Sequence, residues 1–130
     1  MMNKVALVTG ASKGIGKILA VKLTQIGFDV MIVGRNKKQL LETKAEVENF
    51  NTNCVVTEPD LSITDAHLSI INRVIQEFGR LDVVINYAGG NSLSIKDTLI
   101  EMKDPIFKAN TRTPYFICQE AILFHDKAGI

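Results

Sequence analysis

Thr9-Gly10-Ala11-Ser12-Lys13-Gly14-Ile15-Gly16 follows the apolar run Val5-Ala6-Leu7-Val8 and opens an amphipathic stretch that closes near Gly27. A short apolar strand that turns through glycines into a helix is a phosphate-binding arrangement. Glycine lets backbone approach a pyrophosphate, and the helix N-terminus presents unpaired N–H groups at the positive end of its dipole. On this reading Gly10 permits the tight exit from the strand, Gly14 the close approach of the ligand, and Gly16 the packing of helix on strand. Glycine is also common in plain strand-to-helix turns, so the loop needs support from the rest of the chain.

Outward from this loop, strand and helix patterns alternate. Apolar runs predict strands at 4–9, 30–33, 54–57 and 81–86, and 30–33 is continuous, as in a parallel strand covered on both faces. The first helix carries Ile15, Ile18, Leu19, Leu23 and Ile26 at helical spacing, which predicts its buried face. Asn36 offers an N-cap to a second helix reaching about residue 49, with Leu40, Leu41, Ala45 and Val47 as its inner side. Thr64 or Ser62 offers a cap to a third, whose Ile70, Ile71, Val74, Ile75 and Phe78 form one stripe. A polar loop at 92–96, a short helix at 97–101 and a longer one at 105–125 follow, with Pro105 suited to a first turn. The alternation predicts one α/β domain over residues 1–130: a Rossmann-like, doubly wound parallel sheet with strand order 3-2-1-4. Ligands bind such sheets at the carboxyl ends of the strands, beside the switch point between the first and fourth.

Composition excludes other classes. A net charge of +1 gives no electrostatic footprint for nucleic acid or an anionic membrane. No apolar run reaches transmembrane length, and strand residues begin too early for a signal peptide. Cys54 and Cys118 sit in apolar segments without CxxC spacing, which predicts buried free thiols and a cytoplasmic setting. His67 and His125 are lone histidines on helices, read as surface or packing residues, and no metal-ligating cluster can be assembled.

Three further motifs stand in register with the glycine loop. Asp60-Leu61 follows the third strand, Asn86-Tyr87-Ala88-Gly89 follows the fourth, and Asn110 lies in the late helix. With the Thr-Gly-x-x-x-Gly-x-Gly spacing at 9–16, the chain resembles the short-chain dehydrogenase/reductase family over all 130 residues. That resemblance implies hydride transfer between a nicotinamide and a carbonyl or alcohol carbon. It implies a cofactor loop of Gly10, Ser12, Lys13, Gly14, Ile15 and Gly16, and Asp60 with Leu61 bordering the adenine. Asn86, Ala88 and Gly89 would steady the sheet and border the adenine ribose, with Tyr87 where the family often has Asn. Asp60 can equally close its strand in an Asx-type turn.

An NAD site usually places an acid about 20 residues past the glycine motif, to hold the ribose 2′-hydroxyl. Here that place reads Gly34-Arg35-Asn36, without a carboxylate. Arg35 can hold a 2′-phosphate with paired hydrogen bonds, and Lys13 resembles the second basic residue of NADP-preferring members, so NADP(H) is expected over NAD(H). The plainer reading makes both solvated surface charges.

Asn110 resembles the active-site Asn whose main-chain carbonyl holds a water in the family's proton relay. Pro114, four residues on, has no N–H to donate to that carbonyl, which predicts a free carbonyl and a kink there, with or without chemistry. The family's other catalytic residues, a Ser and a Tyr followed four residues later by Lys, have no counterpart. Tyr87 is followed by Asn91 and Tyr115 by Gln119, and Ser92 and Ser94 precede Asn110. The expectation is the cofactor-binding half of such an enzyme, truncated before the fifth strand and inactive alone. The alternative is a non-catalytic dinucleotide-binding or interaction module. Self-association is expected either through the Asn110 helix, by Phe116, Ile117 or Phe124, or along the unguarded edge of strand four at Val83, Val84 and Ile85.

Overall fold

The computed structural model describes residues 3–58, 65–87 and 113–128. Their elements run β1 (Val5–Thr9), α1 (Gly14–Gln25), β2 (Asp29–Val33), α2 (Lys37–Glu48), β3 (Cys54–Thr57), α3 (Ala66–Phe78), β4 (Val83–Asn86) and α4 (Thr113–Ala128). The strands form one parallel sheet in the order β3-β2-β1-β4. The caps predicted from Thr64 or Ser62, the short helix at 97–101 and Pro105 lie outside the described residues.

Alternating side chains divide the sheet into two cores. Val5, Leu7, Met31 and Val33 face one side, against Ile70, Ile71 and Val74 of α3 and Ile117 and Ala121 of α4. Ala6, Val8, Val30 and Ile32 face the other, with Ala20 of α1 and Leu40 and Val47 of α2. Both faces of β1 and β2 are buried throughout, which is why their sequences are unbroken apolar runs.

The stripe predicted for α3 packs as expected: Ile70, Ile71 and Val74 are buried, and Ile75 and Phe78 pack against that core. Asn36 caps α2, its side chain accepting from Gln39 N at 3.0 Å.

Elsewhere the periodicity misleads. The fully buried residues of α1 are Gly16, Ala20 and Thr24. Of the predicted face, Leu23 packs against the core on this side of the sheet and Leu19 is half-buried, whereas Ile15 (53% exposed), Ile18 (58%) and Ile26 (73%) stand outside. Small side chains let this helix lie close to the glycine loop, and isoleucines on that face would hold it off. On α2 the inner face is Leu40, Thr43 and Val47, with Leu41 and Ala45 exposed. Cys54 is buried, and burial pushes its thiol up to about 12. Cys118 is exposed, which corrects the expectation of two buried thiols.

The association surface expected on the last helix also changes. Ile117 is 1% exposed in this chain's own core, Phe124 packs against that core, and Phe116 stacks on His67 at 5.1 Å. The outward apolar residues of α4 are Tyr115, Ile122 and Leu123. His125 is tied to the Leu81 carbonyl and His67 is buried, so both histidines pack α4 and α3 onto the body.

Two carboxylates brace the amino-terminal end of the sheet, opposite the glycine loop. Asp29 Oδ1 accepts from Asn53 N at 2.9 Å and Asn3 Nδ2 at 3.2 Å. Asp82 takes Arg80 bidentately at 2.8 and 2.7 Å, and its Oδ2 also accepts from Val5 N at 2.8 Å. The hydrogen bond from Arg80, joined by that from Val5, holds the Asp82 carboxyl below the usual carboxylate range. A depressed folded value contributes stability that is present above the unfolded pKa and is lost as pH falls through the folded one. Asp82→Asn should therefore lower the melting temperature by roughly 4 °C at neutral pH. The gap should close as the buffer is taken below about pH 4. A gap unchanged down to about pH 2 would show that Arg80 is not what stabilises this end.

Candidate functional site

The carboxyl ends of the strands meet the glycine loop at the switch point, where β2 leaves β1 on one side and β4 on the other. Gly10 leaves β1 at φ 74°, a left-handed conformation open to glycine, and its N–H donates to the Val33 carbonyl at 2.8 Å. Ala11 N donates to the same carbonyl at 3.1 Å, so the last peptide of β2 anchors the start of the loop. A Cβ on Gly16 would lie 2.0 Å from the Gly10 carbonyl oxygen, so only glycine fits where α1 crosses the loop. At Gly14, φ 64°, a Cβ would meet nothing within 4 Å: its surroundings are open space rather than protein.

No side chain caps the start of α1, and its first turn holds no acid. The first N–H groups of the helix are therefore left for solvent or an anion, unlike those of α2, which Asn36 caps. A dinucleotide phosphate fits this end, with backbone cleared of side chains, uncapped donors and no acid in the helix's first turn. Ser12 is half-buried and turned inward, whereas Lys13 and Ile15 are exposed on the loop's outer side.

Arg35 is exposed at the corner between β2 and α2, one residue beyond the buried Gly34. A Cβ on Gly34 would come within 3.0 Å of Leu40 Cδ2 and 3.3 Å of both Cβ and Oγ of Ser12. The corner that carries Arg35 thus packs directly on the glycine loop. Lys17 of α1 pairs with Glu46 of α2 at 3.0 Å across the same seam. Thr43 adds a buried contact, its hydroxyl donating to the Ala11 carbonyl at 3.0 Å. Sequence reading missed Thr43; the available signal was its place between Leu40 and Val47 on one helix face.

At the other side of the switch point, Tyr87 N approaches both the Thr9 carbonyl (3.2 Å) and Thr9 Oγ1 (3.1 Å). Asn86 pairs with Thr9 in register, and its Nδ2 donates to Cys118 Sγ at 3.3 Å, tying the end of β4 to α4. Asp60, Leu61, Ala88, Gly89 and Asn110 lie outside the described residues, as do Ser92 and Ser94. Pro114 falls in the first described turn of α4. A groove of about 590 Å³ runs along that helix, lined by Asn86, Tyr115, Cys118, Ile122 and Leu123 among others. Neither the glycine loop nor Arg35 borders it, so it is distinct from the glycine-loop end of the sheet. Among the described residues no helix is long and apolar enough to cross a membrane.

The family model of short chain dehydrogenases matches residues 4–129. A probable 2,4-dienoyl-CoA reductase of Bacillus subtilis is 38% identical over 91 residues, covering 70% of this chain and 36% of that protein. Versicolorin reductase of Emericella nidulans is 34% identical over 121 residues, 92% of this chain and 46% of its own length. Among solved structures, a metagenomic short-chain oxidoreductase in complex with NADP superposes with a TM-score of 0.88 at 28% identity, covering 98% of this chain and 58% of that one. A short chain dehydrogenase from Burkholderia cenocepacia in complex with NADP gives 0.86 at 29% identity, over 93% of this chain and 50% of that one. The chain spans about half the length of the relatives it matches. With the match running from β1 through α4, the chain belongs to the short chain dehydrogenase family.

Proposed function

We propose that this chain is the nucleotide-binding half of an NADP(H)-dependent short-chain dehydrogenase/reductase. The observation that carries the proposal is the joining of two features in one packed unit. One is the glycine loop with its uncapped helix N-terminus; the other is a corner bearing Arg35 and no carboxylate. Gly10, Ser12, Lys13, Gly14, Ile15 and Gly16 would hold the pyrophosphate, and Arg35 with Lys13 the 2′-phosphate. Two solved relatives in complex with NADP support the same cofactor. Asn86 would border the adenine ribose, and the family pattern assigns Ala88, Gly89, Asp60 and Leu61 to the same half of the cofactor. The nicotinamide, when bound, supplies or accepts a hydride. Asn110 would contribute its carbonyl to proton transfer, which in the family a Ser and a Tyr-x-x-x-Lys complete; residues 1–130 contain no Tyr-x-x-x-Lys. A cytoplasmic setting suits Cys54 and Cys118, both unpaired.

A second reading is a dinucleotide-binding module without chemistry of its own. Reading the coding DNA past codon 130 separates the two, because a continuing frame with Ser and Tyr-x-x-x-Lys means an enzyme half. The chain purified from a reductase-free host should bind NADPH more tightly than NADH in a fluorescence titration. It should oxidise no NADPH against a broad carbonyl panel. Equal affinity for the two nucleotides overturns the cofactor assignment. Turnover that tracks the chain and survives Tyr87→Phe and Tyr115→Phe overturns the binding-half reading.

A further inference from the structure

We infer that Thr43 is a positioning residue for the phosphate-binding loop, acting through the Ala11 carbonyl; this rests on the nucleotide reading of that loop. Thr43 lies on the inner face of α2, 0% exposed, and Ala11 beside it is equally buried. Its hydroxyl is 3.0 Å from Ala11 O and 3.2 Å from Gln39 O, one turn back in its own helix. One proton serves both acceptors, and the loop carbonyl is the nearer. A hydroxyl satisfied within its own helix needs no second partner, so the close approach to Ala11 marks a link between elements rather than a local helix bond.

That link completes a clamp. The N–H groups of Gly10 and Ala11 are held by the Val33 carbonyl, and the Ala11 carbonyl is held by Thr43. Ser12, the next residue, is seated against Gly34. The loop therefore takes its position from β2 and α2, the elements that flank Arg35, rather than from β1 alone. Pyrophosphate donors and the 2′-phosphate corner then move as one body. Thr43 touches neither phosphate in this arrangement; it sets where the donors point.

Removing the hydroxyl without changing shape, by Thr43→Val, leaves a buried carbonyl without its donor. Because the loop serves the part common to both nucleotides, NADPH and NADH should each bind about tenfold more weakly, while their ratio stays as Arg35 sets it. Thr43→Ser restores the hydroxyl and should restore affinity. Val47→Ala, on the same buried face, should lower the melting temperature without moving either affinity. Amide hydrogen exchange on the nucleotide-free chain supplies a readout that needs no cofactor. Exchange over 10–16 should rise in Thr43→Val relative to β1, and not in Val47→Ala. The inference is overturned if Thr43→Val binds as wild type does, if Val47→Ala loses as much affinity, or if loop exchange is unchanged. A wild-type chain that binds neither nucleotide, with loop exchange still raised by Thr43→Val, would instead sink the nucleotide reading and leave the clamp standing.

Discussion

Gly16→Ala should displace the glycine loop and abolish nucleotide binding. Alanine is a better helix former than glycine by about 1 kcal/mol, so propensity alone predicts a more stable α1. Sterics oppose it. The new Cβ would stand 2.0 Å from Gly10 O, 2.7 Å from Gly10 C and 3.3 Å from Ala11 Cα. These are backbone atoms, and Gly10 is itself held to Val33, so no side chain can swing away. Overpacking of this kind costs roughly 1–3 kcal/mol even where side chains yield, and backbone contacts put it at the upper end or beyond. The clash wins, and denaturant unfolding should show a net loss of about 2 kcal/mol. Gly14→Ala is the informative contrast. Its Cβ meets nothing, but its φ of 64° costs an L-residue roughly 1–2 kcal/mol. It should weaken nucleotide binding more than its stability loss explains, because the open space is where the ligand is proposed to approach. A Gly16→Ala chain that is as stable as wild type and still binds nucleotide would show that α1 can slide off the loop.

Arg35→Asp should reverse the cofactor preference. A charge-assisted hydrogen bond to phosphate contributes roughly 1.5–3 kcal/mol, so wild type should favour NADPH about 10- to 100-fold. An aspartate repels the 2′-phosphate and accepts from a free 2′-hydroxyl, which moves both affinities in opposite directions. Arg35 is exposed, so the preference should shrink as salt is raised. Position matters as much as charge. Gly34→Asp puts a carboxylate nearby but drives its Cβ against Leu40 and Ser12, so it should weaken both nucleotides by displacing the loop. Competitive titration of NADPH and NADH against each variant decides the matter. A wild-type ratio in Arg35→Asp would mean that the guanidinium is a solvated surface charge.

Much of the architecture was legible because it depends on local pattern. Unbroken apolar runs at β1 and β2 mark strands covered on both faces, and the helices between them require parallel pairing. Strand order follows from the alternation together with the glycine loop, which marks β1 as the strand at the switch point. The cap at Asn36 and the stripe on α3 are short-range features, carried by neighbours within one or two turns. Arg35 without an acid beside it is likewise plain in the chain.

What the chain alone could not decide is which side of a helix faces inward when both sides carry apolar residues. α1 offers a bulky stripe and a small one, and only the closeness of Gly10 O selects Gly16, Ala20 and Thr24. On α2 a polar residue, Thr43, displaces Leu41 from the interior because a loop carbonyl distant in sequence is waiting for its hydroxyl. On α4 the residues expected to meet a partner, Ile117 and Phe124, turn to the core beside α3, while Tyr115 and Ile122 face out. The sequence by itself determined the elements, their order and the loop at the switch point, since periodicity and glycine spacing act over a few residues. Tertiary structure decided the inward faces, the exposure of Cys118 and the clamp on Ala11, because each depends on atoms brought close only by packing.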